Sequence, residues 1–244
     1  MSAKRTAATA ARVLRQLRRD PRTVALLLVV PCVLLALLAG VLNGSSAAFD
    51  AIGPALLAVF PFVSMFLVTS VATLRERTSG TLERLLTMPV AKLDVLLGYG
   101  IAFGAVAVVQ ALLACGTAVG LLGMDVAGSL WALIGVAVLD AVLGVALGLL
   151  VSAFAATEFQ AVQFLPAVVL PQFLLCGLIA PRHEMWRALE LLSDVLPLTY
   201  AVDAMSGIQR AGNSGTVVRD AGLVAAYVVA ALALGALTLR RRTP

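Results

Sequence analysis

The sequence predicts an all-α membrane protein with six transmembrane helices, and three observations carry that prediction. Hydrophobic residues make up 61% of the 244 positions and charged residues only 13%, with mean hydropathy +1.02. A soluble domain of this size needs far more polar surface to stay dissolved. Continuous apolar runs recur along the chain, and a bilayer core about 30 Å thick needs roughly 20 apolar helical residues to cross it. Lys and Arg gather beside alternate ends of those runs, as a topology signal requires. An outer-membrane barrel would instead show short strands alternating between apolar and polar residues. These runs are Ala/Leu/Val-rich and too long for strands.

Residues 1–22 read as a cytoplasmic lead segment ahead of a single membrane domain over 23–244. In the lead, Ala10, Val13, Leu14 and Leu17 fall at helical spacing and arginines fill the opposite face. This predicts an amphipathic interfacial helix lying on the inner leaflet, with a disordered basic tail as the alternative. Asp20-Pro21 ends that helix. The basic stretch is too long for a cleavable signal peptide, and no small-residue cleavage site follows the first apolar run. The spans are expected at residues 23–42, 52–73, 95–122, 130–154, 160–180 and 222–239. An even number puts both termini on one side. Fourteen of the 18 Lys and Arg precede span 1, lie between spans 2 and 3, or follow span 6. The remaining four, Arg182, Arg187, Arg210 and Arg219, share one long loop. The positive-inside rule therefore predicts cytoplasmic termini.

The outer loop from Pro181 to Ala221 is the longest hydrophilic stretch, yet it is patterned. Met185, Trp186, Leu189, Leu192 and Leu196 recur at near-helical spacing, Pro197 interrupts, and Val202, Met205 and Ile208 follow. Two short re-entrant helices after span 5 are expected, with an ordinary extracellular loop as the alternative.

Catalytic chemistry is not legible. There is no GxxxxGK[ST] phosphate loop, no HExxH and no Ser/His/Asp set. Cys32, Cys115 and Cys176 lie singly in apolar runs without metal-ligand spacing. His183 is the only histidine, so a His-rich metal centre is excluded. The net charge of +5 reflects residues flanking the spans, so nucleic acid is not an expected partner.

The segment between spans 2 and 3 is the most informative. It runs Arg75-Glu76-Arg77-Thr78-Ser79-Gly80-Thr81-Leu82-Glu83-Arg84-Leu85-Leu86-Thr87-Met88-Pro89. Ser79 or Thr81 can cap a short helix with Glu83 in its first turn. Leu82, Leu85 and Leu86 give it an apolar stripe, and Pro89 stops it. A short amphipathic cytoplasmic helix suits docking into a partner's groove; a charged loop on lipid headgroups is the alternative.

The run Glu76-Arg77-x-x-Gly80-Thr81-Leu82-Glu83-x-Leu85-x-x-x-Pro89 resembles the signature of ABC-2 type permeases, the membrane subunits of ATP-binding-cassette exporters. Pro171-Gln172-Phe173-Leu174-Leu175-Cys176-Gly177 with Pro181, then Leu196-Pro197-Leu198-Thr199-Tyr200, resembles the family's span-5 and outer-loop pattern. The lead ending in Arg19-Asp20-Pro21 is similar too, and the nearest group is typified by daunorubicin exporters. Two departures stand out. Arg182-His183-Glu184-Met185-Trp186 replaces a region where the family commonly has a second proline. Asp203-Ala204-Met205 lies where it often has an arginine.

The resemblance implies that the loop helix is a coupling helix, entering a cleft of a separate ATPase subunit through Glu76, Arg77, Gly80, Thr81, Leu82, Glu83, Leu85 and Leu86. ATP and Mg would bind that partner, and this chain would bind no cofactor or metal directly. A second permease copy, or a paralogue, would complete a twelve-helix pathway in a bacterial inner membrane. The resemblance puts the substrate path at the dimer interface, lined by spans 2 and 5. Span 2 offers Phe60, Phe62, Met65 and Phe66; span 5 offers Phe164, Gln172 and Phe173. Aromatic and Met side chains suit a bulky apolar drug, metabolite or lipid. Pro61, Pro166 and Pro171 can kink these helices.

Four polar residues in or beside the spans bear on the reading. Asp140, mid-span 4, costs about 2.5–3.5 kcal/mol on insertion scales if ionised. It is read either as a substrate or proton contact or as a structural hydrogen-bonding group. Gln110 and Gln172 are expected interhelical donors, and Glu158 marks the inner membrane face. An ion-coupled secondary transporter, a membrane-embedded enzyme and a polysaccharide-export permease of the same superfamily are the competing readings.

Overall fold

The computed structural model describes residues 2–42, 45–78 and 92–238. All regular elements among them are helical. We number them α1 (Ala3–Arg18), α2 (Pro21–Val41), α3 (Ser46–Thr78), α4 (Lys92–Cys115), α5 (Leu130–Ser152), α6 (Glu158–Phe164), α7 (Leu170–Leu175), α8 (Arg187–Ser193), α9 (Pro197–Gln209) and α10 (Ser214–Thr238). Six helical stretches among the described residues are long and apolar enough to cross a membrane: α2, α3, α4 with its continuation to Leu121, α5, the run Glu158–Leu175, and α10. They are spans 1 to 6.

Local chemistry explains where several elements begin and bend. Asp20 caps α2, accepting from the Thr23 N–H at 3.2 Å and the Thr23 hydroxyl at 2.6 Å. Pro21 then occupies a first-turn position where no amide donor is required. The same hydrogen bonds, the hydroxyl's first, hold the Asp20 carboxyl below its ordinary pKa. Ser129 and Thr157 cap α5 and α6 in the same way. Span 5, expected as one helix to Ala180, is interrupted by a π-helical segment, Leu165–Val169, and ends at Leu175. Pro166 and Pro171 each remove an amide donor there, so the regular ladder cannot pass through. Gly177 at φ +90° then turns the chain out of the span.

The inner pair of the bundle is α3 against α5. In their apolar stretches 61% of residues are buried, against 17% in α2 and 22% in span 5 and α10. Gly144 and Gly148 make this closeness possible. A Cβ on Gly148 would lie 2.7 Å from the Phe66 carbonyl oxygen, and one on Gly144 would run into the Phe62 carbonyl. A small-xxx-small pair is what brings two membrane helices into backbone contact, since no hydrophobic effect drives them together inside lipid. α4 flanks α5, α10 packs on α5 and α9, and α2 touches the rest through few residues.

The lead helix α1 lies against the first turns of α4. Thr9 fits over Gly98, where a Cβ would come within 2.6 Å of the threonine Cβ. Ala10 and Val13 are buried in that contact while Leu14 is exposed. The expected apolar stripe is thus divided between protein and surroundings. On the far side, α8 and α9 are the two short helices after span 5. α9 is deeply seated, burying Leu198, Ala201, Val202, Met205 and Ile208.

Candidate functional site

The end of α3 organises one face of the molecule. Successive helical residues point about 100° apart, so Arg75, Glu76 and Arg77 fan outward and each finds a different element. Arg75 forms a two-pronged pair with Glu158 at the start of span 5, at 3.0 and 3.1 Å. Glu76 accepts two bonds from Arg12 of α1, at 3.2 and 2.9 Å. Arg77 donates to the carbonyl of Ser152, the last residue of α5. A cation at a helix C-terminus is favourably placed against the helix dipole.

Arg12 does more than pair with Glu76. Its guanidinium also donates to the Tyr99 hydroxyl at 2.8 Å and lies 5.7 Å from that ring's centre. Asp94, buried in the first turn of α4, accepts from the Ser2 N–H at 3.1 Å and the Thr6 hydroxyl at 3.4 Å. The carboxylate of Glu76, one of the expected coupling residues, is thus paired with Arg12 of the same chain. Sequence reading missed Arg12, Tyr99 and Asp94 in this role. The available signal was a charge at the buried edge of each helix, which needs partners from elsewhere. Gly80, Thr81, Leu82, Glu83, Leu85 and Leu86 lie outside the described residues.

The residues expected along the substrate path separate into two groups. Phe62, Met65 and Phe66 are fully enclosed within this chain, with Phe62 and Phe66 stacked at 6.5 Å. Their helix face is the one that meets α5. Phe60, Phe164 and Phe173 are partly buried at the edge of the core. Gln172 is buried; its amide nitrogen donates to Val168 in its own segment at 3.0 Å, and its oxygen accepts the Leu198 N–H at 3.3 Å. It links span 5 to α9 as an acceptor, not as the donor expected. Gln110 does donate between helices, to the Leu27 carbonyl of α2 at 2.9 Å. Asp140 is fully buried in α5, and neither carboxyl oxygen has a hydrogen-bond partner among the described residues.

An open cavity of about 300 Å³ lies between α1, α3, α4 and span 5. Leu17, Leu67, Val68, Val71, Ala72, Phe103 and Val162 give it apolar walls, and Gln16, Asp20, Thr23, Arg75 and Glu76 give it a polar end. That volume is at the lower limit for small-molecule sites, and the division of apolar body and polar end matches an amphipathic occupant.

The opposite end of the bundle is closed by a polar knot. Arg182 pairs with Asp203 at 2.7 Å and with Asp194. Burial pushes the Asp203 carboxyl pKa up while the neighbouring Arg182 opposes the shift. Ser193 donates to the Leu175 carbonyl at 2.9 Å, and Tyr227 to the Val195 carbonyl at 2.9 Å. Arg182 and Asp203 are both departures from the resembled pattern, and the structure brings them together.

Comparison with known proteins follows the same lines. The family profile described as ABC-2 type transporter matches residues 5–209. The probable multidrug ABC transporter permease YbhR of Escherichia coli K12 is 29% identical over 150 residues, covering 62% of this chain and 41% of YbhR. The probable multidrug ABC transporter permease YbhS of the same strain is 29% identical over 148 residues, covering 60% and 39%. ABC transporter G family member 20 of Dictyostelium discoideum is 25% identical over 170 residues, covering 70% of this chain and 23% of that protein. The chain thus spans about two fifths or less of the length of these curated relatives.

Proposed function

The chain belongs to the ABC-2 type transporter family, and from that premise we propose that it is the permease subunit of an ATP-driven exporter of amphipathic or hydrophobic molecules. Its six candidate spans make it a multi-pass membrane protein, and its relatives are named as ABC transporter permeases. The observation that carries the reading is the coincidence of the family match over residues 5–209 with five of those spans and the short helices after span 5.

In this reading ATP and Mg bind a separate ATPase subunit. The segment around Gly80, Thr81, Leu82, Glu83, Leu85 and Leu86 docks into that subunit, while Glu76 and Arg77 act inside the chain. Both termini face the cytoplasm of a bacterial inner membrane, supported by the distribution of Lys and Arg. A second permease, identical or paralogous, meets the sparsely buried span 5 and α10. The cavity beside Leu67, Val71 and Phe103 is then an entry site on the cytoplasmic side, taking an amphiphile with its polar end toward Arg75. That YbhR and YbhS are named probable multidrug ABC transporter permeases supports a drug-like substrate.

Purification in mild detergent tests the mechanism. An ATPase chain should co-purify with the tagged permease, and vesicles holding the complex should move a fluorescent amphipathic dye away from the cytoplasmic face when ATP is supplied. Dye movement that needs no ATPase chain and collapses with an ionophore would assign the protein to ion-coupled transport instead.

A further inference from the structure

One guanidinium bridges both arms of the segment that joins spans 2 and 3. Residues 79–91 leave α3 and enter α4, and Arg12 of α1 holds the last turns of the first and the first turns of the second. Its NH2 nitrogen is shared, lying 2.9 Å from Glu76 Oε2 on α3 and 2.8 Å from the Tyr99 hydroxyl on α4. The other nitrogen completes the fork on Glu76 at 3.2 Å. Glu76 is buried and Arg12 partly so, so the carboxylate has little water to fall back on. The rest of α1 is held on α4 chiefly by Asp94 with Ser2 and Thr6 and by Thr9 over Gly98, and α1 touches α2 as well.

We propose that Arg12 is a positioning residue of the energy-coupling route, stapling α1 across the two arms so that a change in their separation moves α1. This rests on the reading that residues 79–91 meet a separate ATPase. The geometry has a specific consequence. α3 and α4 cannot change spacing at this level while Arg12 keeps all three bonds. Because α1 is anchored to α4 through Asp94 and Gly98, loss of the Glu76 fork would free α3 from α1 but leave α1 on α4. Arg75 and Arg77 carry the same turn of α3 to span 5 and to the end of α5. The movement of one turn is thereby shared among several helices. Arg75 and Glu158 are about half exposed, and such surface pairs contribute little; the enclosed Arg12–Glu76 fork is the stiffer link.

The test uses the complex as it co-purifies, in nanodiscs, with hydrogen exchange read on residues 3–18 in the nucleotide-free state and after trapping with ATP and vanadate. Arg12→Glu, Glu76→Arg and the exchanged pair are compared with the parent, and Arg187→Gln on the far face is the control. In the parent, α1 exchange should change on trapping. Each single variant should abolish that response and raise nucleotide-free exchange of α1 about tenfold, and the exchanged pair should restore both. Single variants that respond like the parent, or an exchanged pair no better than either single, overturn the proposal. Should the charge reversals fail to accumulate, Arg12→Lys keeps the charge but loses the fork; a parental response in that variant also overturns the staple. If no ATPase chain co-purifies with the parent, the proposed function fails by itself. The nucleotide-free exchange of α1 in the singles and the exchanged pair then still decides whether the staple exists.

Discussion

Spans 2 and 5 are alike in composition and opposite in placement. Both are apolar, carry phenylalanines, and contain two prolines. Yet 61% of the apolar stretch of span 2 is buried and 22% of span 5. Span 2 remains a continuous helix through Pro54 and Pro61, while span 5 breaks into α6, a π-helical segment and α7. The difference lies in the neighbour. Span 2 has α5, whose Gly144 and Gly148 admit its backbone, and enclosure on that side supports the helix through its prolines. Span 5 has no such partner among the described residues and leaves Phe159, Val162, Leu170 and Leu174 exposed. Aromatic content alone does not mark a path; the packing decides which phenylalanines are free to meet anything else.

The comparison is most sharply broken at the glycines. Gly144→Leu should be the most damaging single change, because the atoms it strikes are backbone of α3 with no rotamer to escape into. Overpacking a core costs about 1–3 kcal/mol and more where backbone must move. The expected outcome is loss of the monodisperse peak in fluorescence-detected size exclusion. The same change at Gly104 or Gly120, where a Cβ meets nothing within 4 Å, should be tolerated.

Phe62→Ala comes next. The side chain is wholly enclosed, and deletion of a buried phenylalanine costs about 3–5 kcal/mol in water-soluble proteins. Inside lipid the transfer term is missing, so the low end of that range is expected, read as an earlier loss of the folded peak on heating. A Phe62→Ala protein with parental thermal stability and altered dye transport would move this residue from the core to the path.

The helices, their order and the two-sided charge distribution were legible because length, hydropathy and basic flanks are local properties of sequence. The short helices after span 5 were legible from apolar spacing about Pro197. What was not legible depends on which helix meets which. Gly144 and Gly148 can be read as a helix-contact motif, but their partner cannot. Glu76 was assigned to a partner through the resemblance to ABC-2 type permeases, and its pairing with Arg12, 64 positions away, could not be read from the sequence. Gln172 was read as a donor because amides donate, and only the position of Leu198 shows that its oxygen makes the link between helices.

Gln172→Leu sharpens the comparison from the other side. It removes one bond within span 5 and leaves the buried Leu198 N–H without its acceptor, a loss of about 1–3 kcal/mol by the desolvation argument. Bonds between membrane helices average nearer 0.6 kcal/mol, so a modest fall in thermal stability is expected. Faster hydrogen exchange should be confined to the first turn of α9. Exchange spread evenly through the bundle would mean that Gln172 belongs to the core.

The smallest effect on folding, and the most discriminating, is expected at Phe164. It packs at the edge of the core and of the small cluster around Leu74 and Ala161, and truncation should cost about 1 kcal/mol. Phe164→Ala should therefore accumulate like the parent. If span 5 lines the path, its dye transport should change in apparent affinity by about three- to tenfold, the range that loss of one apolar contact gives. Unchanged transport in a well-folded Phe164→Ala protein would leave the exposed face of span 5 to lipid or to the second permease, and the entry cavity beside Leu67 and Phe103 would then be the better candidate for contact with substrate.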